Sequence, residues 1–366
     1  MIRPAYLTDI DSLLKIERAC FATDRLSRRN FRYLLTKAHA QTIVAEQAGL
    51  IQGYAMLLLS NCTSMARLYS FAVDPKYQRQ GIAKALLKAI EQSAIEHDCI
   101  SLRLETRQDN LAMQQLVKQS GYKQFGVIAN YYEDNMGALR FEKSLAPQFQ
   151  PALIKVPYYQ QSLEFTCGPA ALMMAMQTLK PELILDRKLE LRIWRESTTI
   201  FMTSGHGGCG PYGLALSAFH RGFDVDIYVN EVGALFIHSV RSFYKKEVIR
   251  LVQEDFLAEI AVLPITLTYT SLTVAELKAH FEAGAIPIVL ISSYRLYKEK
   301  FPHWVVVTGF DDKYIYVHDP FVDEESEETL TDCINMPILQ KDFECMARYG
   351  KSAQKAILMI KARVNS

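Results

Sequence analysis

The sequence predicts two domains: a mixed α/β sheet with flanking helices, then an α+β unit in which helices precede an antiparallel sheet. Three observations predict this. The chain has 366 residues, too many for one ordinary core and suited to two domains of about 150–200 residues each. Apolar residues make up 49% and charged residues 22%, so each half can bury a core. Two prolines bracket a short polar stretch at Ala146-Pro147-Gln148-Phe149-Gln150-Pro151. Proline restricts its own backbone and that of the preceding residue, so helices and sheet ladders stop there. The expected division is 1–146, a linker at 147–153, and 154–366.

Helical apolar spacing runs from Asp9 to Phe21. Thr42 to Ala45 and Ile51 to Ser60 read as a hairpin around Ala48-Gly49. Leu68 to Val73 is a strand, Gly81 to Glu96 a helix, Ile100 to Glu105 a strand, and Asn110 to Gln119 a helix ending at Gly121. Lys123 to Tyr132 and Ala138 to Leu145 read as a closing strand pair. Past the prolines, helices are expected at Cys167 to Leu179, Pro181 to Glu196, Pro211 to Arg221 and about Ser239 to Ala258. Strands follow at Ile286 to Ser292, Trp304 to Thr308 and Tyr314 to Val317.

The formal net charge is +1, so no bulk field points to nucleic acid or to an anionic membrane. Arg28-Arg29 reads as a solvated helix face. The apolar stretches Tyr54 to Leu59 and Ile286 to Ile291 are too short to span a bilayer. Met1-Ile2-Arg3-Pro4 lacks the apolar core of a secretion signal. The 7 cysteines are scattered, with neither a close pair nor metal-ligand spacing, so a cytoplasmic protein with reduced thiols and no metal is expected.

Leu68-Tyr69-Ser70-Phe71-Ala72-Val73-Asp74-Pro75 runs into Lys76-Tyr77-Gln78-Arg79-Gln80-Gly81-Ile82-Ala83. A strand therefore ends at a proline, passes a short basic loop and enters an amphipathic helix. Gly81 permits close backbone approach, and the first-turn amides have no partners inside the helix. With the positive end of the helix dipole they suit a pyrophosphate. A lone glycine there is equally compatible with an ordinary strand-loop-helix turn.

The match is longer than one glycine. Gln78-x-x-Gly81-x-Ala83 after Val73-Asp74-Pro75 resembles the acetyl-CoA motif of the GNAT acetyltransferases. Leu104-Glu105-Thr106-Arg107 with Asn110, and Asn130-Tyr131-Tyr132, are similar to sequences of the ribosomal-protein alanine acetyltransferases. The resemblance covers about residues 1–145. It implies the GNAT fold, with acetyl-CoA as co-substrate. Pantetheine would lie along Phe71, Ala72 and Val73, and the pyrophosphate on Gln78, Arg79, Gln80, Gly81, Ile82 and Ala83, with Asn110 nearby. It also implies that Glu105 is the base that deprotonates the acceptor amine. Val117 occupies the position of the family's tyrosine acid and cannot donate a proton. Tyr131 or Tyr132 substitutes, or water reprotonates the leaving thiolate, or turnover is slow.

In the second half, Phe165-Thr166-Cys167-Gly168-Pro169 opens a largely apolar helix that would lie inside the domain. A helix N-terminus favours the reactive thiolate. Without partners, Cys167 would read as an inert buried thiol. Gln161, six residues upstream, has an amide that could donate to an oxyanion. His303 starts one apolar strand, and Asp319 follows the next. Antiparallel pairing through a turn near Asp311-Asp312 would bring base and carboxylate together. The set resembles the papain-like peptidases that remove double-glycine leaders from bacteriocin precursors, over about residues 154–320, although the residues around the cysteine differ from the papain signature. The resemblance implies Cys167 as nucleophile, His303 as general base and acid, Asp319 as its orienter and Gln161 as oxyanion donor. A peptide or protein is the implied substrate.

Other features are assigned no chemistry. Gly205-His206-Gly207-Gly208-Cys209-Gly210-Pro211 reads as a flexible loop and helix start. His220, His238 and His280 lack ligand spacing. His318 should face away from Asp319, and Asp323 to Glu328 is a solvated acidic loop.

Overall fold

A computed structural model of the chain describes residues 1–60, 62–149, 151–198, 207–237, 240, 242–297, 301–323, 328–350 and 352–363. It divides into the units Met1–Gln148 and Phe149–Ser366. His206, His238 and most of the acidic run after Asp323 lie outside the described residues.

The first unit runs β1 (Ile2–Pro4), α1 (Ile10–Cys20), α2 (Arg28–Thr36), β2 (Ala40–Gln47), β3 (Leu50–Leu59), β4 (Met65–Val73), α3 (Ile82–Glu96), β5 (Ser101–Arg107), α4 (Leu111–Gln119), β6 (Lys123–Ile128) and β7 (Ala138–Ser144). The sheet order is β1-β2-β3-β4-β5-β7-β6. Alternation along the strands sends Ala55, Leu57, Leu68, Leu102 and Leu104 to one face, where Leu86, Leu87 and Ile90 of α3 cover them. Tyr54, Met56 and Ala72 go to the other face, against Leu13 and Ile16 of α1 and Phe31 of α2. The strand expected over 123–132, first of the closing pair, stops at Ile128. Asn130 there adopts φ +51°, and a left-handed residue ends a ladder.

One irregularity shapes the first unit's open end. Met56 pairs with Ser70 and Leu57 with Leu68, so Tyr69 is an extra residue that bends β4. β4 and β5 pair in parallel only from Met65↔Ser101 to Leu68↔Leu104. Beyond that point Phe71 to Val73 and Glu105 to Arg107 diverge.

The second unit runs β8 (Ala152–Leu153), α5 (Cys167–Leu179), α6 (Arg187–Ser197), α7 (Pro211–Phe219), β9 (Phe223–Val229), α8 (Phe243–Ile260), β10 (Thr266–Tyr269), α9 (Val274–Glu282), β11 (Ile286–Ser292), α10 (Tyr294–Tyr297), β12 (Pro302–Phe310), β13 (Tyr314–His318), α11 (Leu330–Cys333), β14 (Met336–Leu339), α12 (Gln340–Met346) and β15 (Ala356–Ala362). The expected helix over 181–196 starts only at Arg187, where the Asp186 side chain accepts from the Leu189 amide. Strands β9, β10, β14 and β15 join the expected three in the order β10-β9-β15-β11-β12-β13-β14, with β8 beside β12. All these pairs are antiparallel except β9 with β10.

The sheet has two cores. Ile288, Leu290, Trp304, Val306 and Leu358 face α5, α6 and α7, while Val289, Ile291, Val305, Val307 and Val317 face α9 and α12. Every residue of α5 from Cys167 to Met176 is buried, which explains its apolar sequence on all sides.

Candidate active sites

In the first unit, the helix α3 starts at Gly81, whose φ of +83° is left-handed and costs a residue with a Cβ about 1–2 kcal/mol. A Cβ built on Gly81 meets nothing within 4 Å, so the glycine serves the backbone turn and leaves open space over the first helical amides. Among the described residues no side-chain cap bond is made at that end. Arg79 is also left-handed, at φ +61°, and Gln78 Nε2 donates to the Val73 carbonyl at 3.1 Å. The left-handed loop and a helix start without a side-chain cap leave the first amides of α3 available to an anion. Phe71, Ile82 and Ala83 also pack against the core beneath. Asn110 has a visible local task, since its Oδ1 accepts from Met113 N at 3.1 Å and caps α4.

Glu105 lies on β5 opposite Arg140 of β7, within the strand segment that has left β4. Burial and then the Glu105 charge push the Tyr132 phenol well above its usual value, so this hydroxyl is protonated and sits within the field of Glu105. Arg107 lies 5.1 Å from the centre of the Tyr132 ring and binds both Asp109 and Asp134. Tyr131 meets Tyr132 edge to face at 4.9 Å. Val117 is fully buried in the core below α4.

In the second unit, Cys167 is the first residue of α5, with 8% of its surface exposed. Gly168 beside it is tightly packed: a Cβ would lie 3.1 Å from Leu214 and 3.2 Å from Trp304, so those side chains would have to give slightly. His303 Nε2–H donates to Asp319 Oδ1 at 2.6 Å, and the Cys167 side chain lies within electrostatic reach of the same imidazole. Nδ1 is the ring nitrogen left for the sulfur. Thiol, imidazole and carboxylate therefore stand in a row. Asp319 is further held by Tyr297 Oη at 2.7 Å and by the Phe321 amide at 2.8 Å, and Phe301, Tyr297 and Phe321 ring His303.

Burial alone would lower the His303 pKa, but the charges of Asp319 and Cys167 outweigh it and raise it from 6.5 to about 10. A raised folded-state pKa stabilises the fold fully below about 6.5, and the gain is lost as pH climbs through about 10. The melting-temperature advantage of wild type over His303→Gln is therefore expected to be largest near pH 6 and to narrow toward pH 10. A constant difference across that range in thermal melts would contradict the charged imidazole.

Gln161 is stitched to the same end of the sheet: its amide donates to the Pro320 carbonyl at 2.8 Å, and Tyr158 Oη donates to the Asp319 carbonyl at 2.8 Å. Its Nε2 donates one N–H to the Leu163 carbonyl at 2.9 Å. His318 is apart from this row. It accepts from Asn335 N at 2.9 Å on Nδ1, so Nε2 carries the proton toward the Val156 carbonyl at 3.0 Å. Cys209 is buried beside the Gly168 turn, and burial, with the Cys167 charge, holds its thiol well above the usual range. Tyr297 and Glu190 escaped sequence reasoning. Glu190 could have been noticed as a carboxyl sharing a helical stripe with buried Ile193 and Ser197.

Comparison with known proteins gives two matches side by side. The acetyltransferase (GNAT) family model matches residues 10–122, and the peptidase C39-like family model matches residues 156–361. The N-alpha-acetyltransferase of Sulfurisphaera tokodaii is 32% identical over 153 residues, 37% of this chain and 88% of that protein. The [ribosomal protein bS18]-alanine N-acetyltransferase of Haemophilus ducreyi is 31% identical over 137 residues, 36% of this chain and 88% of that protein. The crystal structure of the ribosomal-protein-S18-alanine N-acetyltransferase from Escherichia coli, 26% identical, covers 40% of this chain and 94% of its own, with a TM-score of 0.37.

Proposed function

The chain belongs to the GNAT acetyltransferase family through its first unit and to the peptidase C39-like family through its second, and on that footing we propose a bifunctional enzyme. One activity transfers acetyl from acetyl-CoA to an amine, a peptide or protein N-terminus. The other is a papain-like thiol peptidase. The observation that carries the second activity is the row Cys167–His303–Asp319, assembled from positions far apart in the chain and held at 2.6 Å between imidazole and carboxylate.

In this mechanism Asp319 fixes the Nε2–H tautomer, and His303 takes the proton from Cys167. The sulfur attacks the peptide carbonyl and forms a C–S bond. First-turn amides of α5 and the free N–H of Gln161 meet the oxyanion. His303 then returns its proton to the departing amine, and water attacks the thioester with the same imidazole as base. In the first unit, Glu105 draws the proton from the acceptor amine and Tyr132, rather than Tyr131, reprotonates the leaving sulfur. The Tyr132 ring beside Arg107 on the same strand end as Glu105 is the basis of that choice. The names of the relatives, which act on an alanine of a ribosomal protein or on α-amines, support a peptide acceptor. The free cysteines suit a reducing cytoplasm.

Two experiments test the pair of activities. Mass spectrometry of cell peptides incubated with wild type or Cys167→Ala, with and without acetyl-CoA, should reveal cleaved peptides only with wild type and acetylated amines only with acetyl-CoA. Neither product in any arm would refute the reading. Gly81→Val, which puts a branched side chain at φ +83° over the helix amides, should raise the KM for acetyl-CoA by about tenfold or more. An unchanged KM would remove the pyrophosphate from that loop.

A further inference from the structure

Glu190 sits on α6, in a different helix from any member of the row, and its side chain has 0% exposure. Its two oxygens accept four hydrogen bonds. Oε1 takes the Ser162 amide at 2.8 Å and Thr166 Oγ1 at 2.5 Å, and Oε2 takes Tyr159 Oη at 2.9 Å and Ser162 Oγ at 2.5 Å. All four donors belong to the segment 159–166 that ends one residue before Cys167. Gln161 lies between two of them. Within the segment, Gln161 Nε2 donates to the Leu163 carbonyl at 2.9 Å, and the Leu163 amide donates to Thr166 Oγ1 at 3.3 Å.

A buried carboxyl is costly unless its acceptor capacity is filled, and here every donor that fills it comes from one short stretch of chain. That stretch carries Gln161, the proposed oxyanion donor, and ends at Thr166, the N-cap of the nucleophile's helix. An oxyanion donor works only when held in advance at the position where charge develops, and displacement by about 1 Å costs on the order of 100-fold.

We propose that Glu190 is a positioning residue: it clamps the segment 159–166 so that Gln161 and the first amides of α5 are set to receive the oxyanion of a substrate attacked by Cys167. The proposal rests on the reading of Cys167 as a nucleophile. Glu190 touches neither the thiol nor the imidazole, so its replacement should harm acyl transfer and spare simple alkylation. Glutamine at this place offers one acceptor and one donor group instead of two acceptors, and the N–H turned toward the hydroxyls of Ser162 and Tyr159 loosens the clamp.

Two probes separate the effects in the full chain. With p-nitrophenyl acetate, the Cys167 sulfur attacks the ester carbonyl, a C–S bond forms, the C–O bond breaks and p-nitrophenolate leaves, through a tetrahedral oxyanion. Iodoacetamide alkylates the same sulfur by displacing iodide, with no oxyanion. Cys167→Ala and mass spectrometry assign both labels to this residue. Glu190→Gln should slow acylation about 10- to 100-fold and leave alkylation within about twofold. The milder Ser162→Ala, which removes one hydroxyl donor, should slow acylation about threefold to tenfold and melt close to wild type. Equal loss of both reactions, or wild-type acylation in Glu190→Gln, would overturn the positioning role. Failure of wild-type Cys167 to react with either probe would instead sink the nucleophile reading beneath it.

Discussion

Cys167→Ala is expected to abolish peptide cleavage by the second unit, by about 10⁴-fold or more, and to leave acetylation of a ready-made peptide amine within about twofold. A nucleophile that forms the covalent intermediate has no substitute, so its loss removes the route rather than slowing it. The size of the effect does not come from lost packing, because cysteine to alanine removes one atom at a helix start that is already well supported. The Cys209 thiol lies nearby but cannot take over: it is buried and held protonated, and His303 neighbours residue 167 instead. The acetyl-transfer arm should be unaffected because Cys167 has no part in the proposed acetyl-transfer chemistry. Product formation followed by mass spectrometry, with acetylation monitored in the same samples, checks both halves. Cleavage persisting in Cys167→Ala would move the chemistry elsewhere.

Glu105→Gln should lower the kcat of acetyl transfer by about 10²- to 10³-fold with little change in the KM for acetyl-CoA. Glutamine keeps the shape and polarity of the side chain but cannot accept a proton from an ammonium, so the loss belongs to the chemical step. The fall should shrink as the assay pH rises toward the pKa of the amine, since a pre-deprotonated acceptor needs no base. Tyr132→Phe should cost about 10- to 100-fold at neutral pH, whereas Tyr131→Phe should stay near wild type. Phenylalanine preserves the edge-to-face contact with Tyr131 and the stacking beneath Arg107, so a deficit in Tyr132→Phe isolates the hydroxyl. Equal effects at the two tyrosines, or none at either, would return the proton to water.

The legible parts of this molecule are those in which local chemistry and long-range packing agree. Val73-Asp74-Pro75 and Gly81 mark a strand end and a helix start by backbone rules that hold in any context, and both lie where the spacing places them. The apolar run after Cys167 announces a buried helix because no polar face is present to turn outward. β9 and β15 were invisible as partners: Phe223 to Val229 pairs with Ala356 to Ala362 across more than a hundred residues, and pairing at that range leaves no trace in local spacing. The same applies to Tyr297, which reaches Asp319 only because β12 and β13 fold back beside α10. Glu190 was obscured for a different reason. A charged residue inside a helix stripe reads as solvated until its four donors, all from another segment, are seen around it. The late start of α6 shows local and tertiary signals in competition, with Asp186 capping the helix while the preceding residues remain outside it.

If Cys167 is a nucleophile prepared by the buried His303, whose pKa is raised by its neighbours, the rate of its alkylation by iodoacetamide between pH 5 and 9 measures this most directly. Labelling located by mass spectrometry should already be fast at pH 6 in wild type and should fall by at least about tenfold there in His303→Ala, recovering only as the medium becomes alkaline. A sulfur that reacts no faster than Cys209 or Cys333 at pH 6, and is indifferent to the loss of His303, would leave the second unit without a nucleophile.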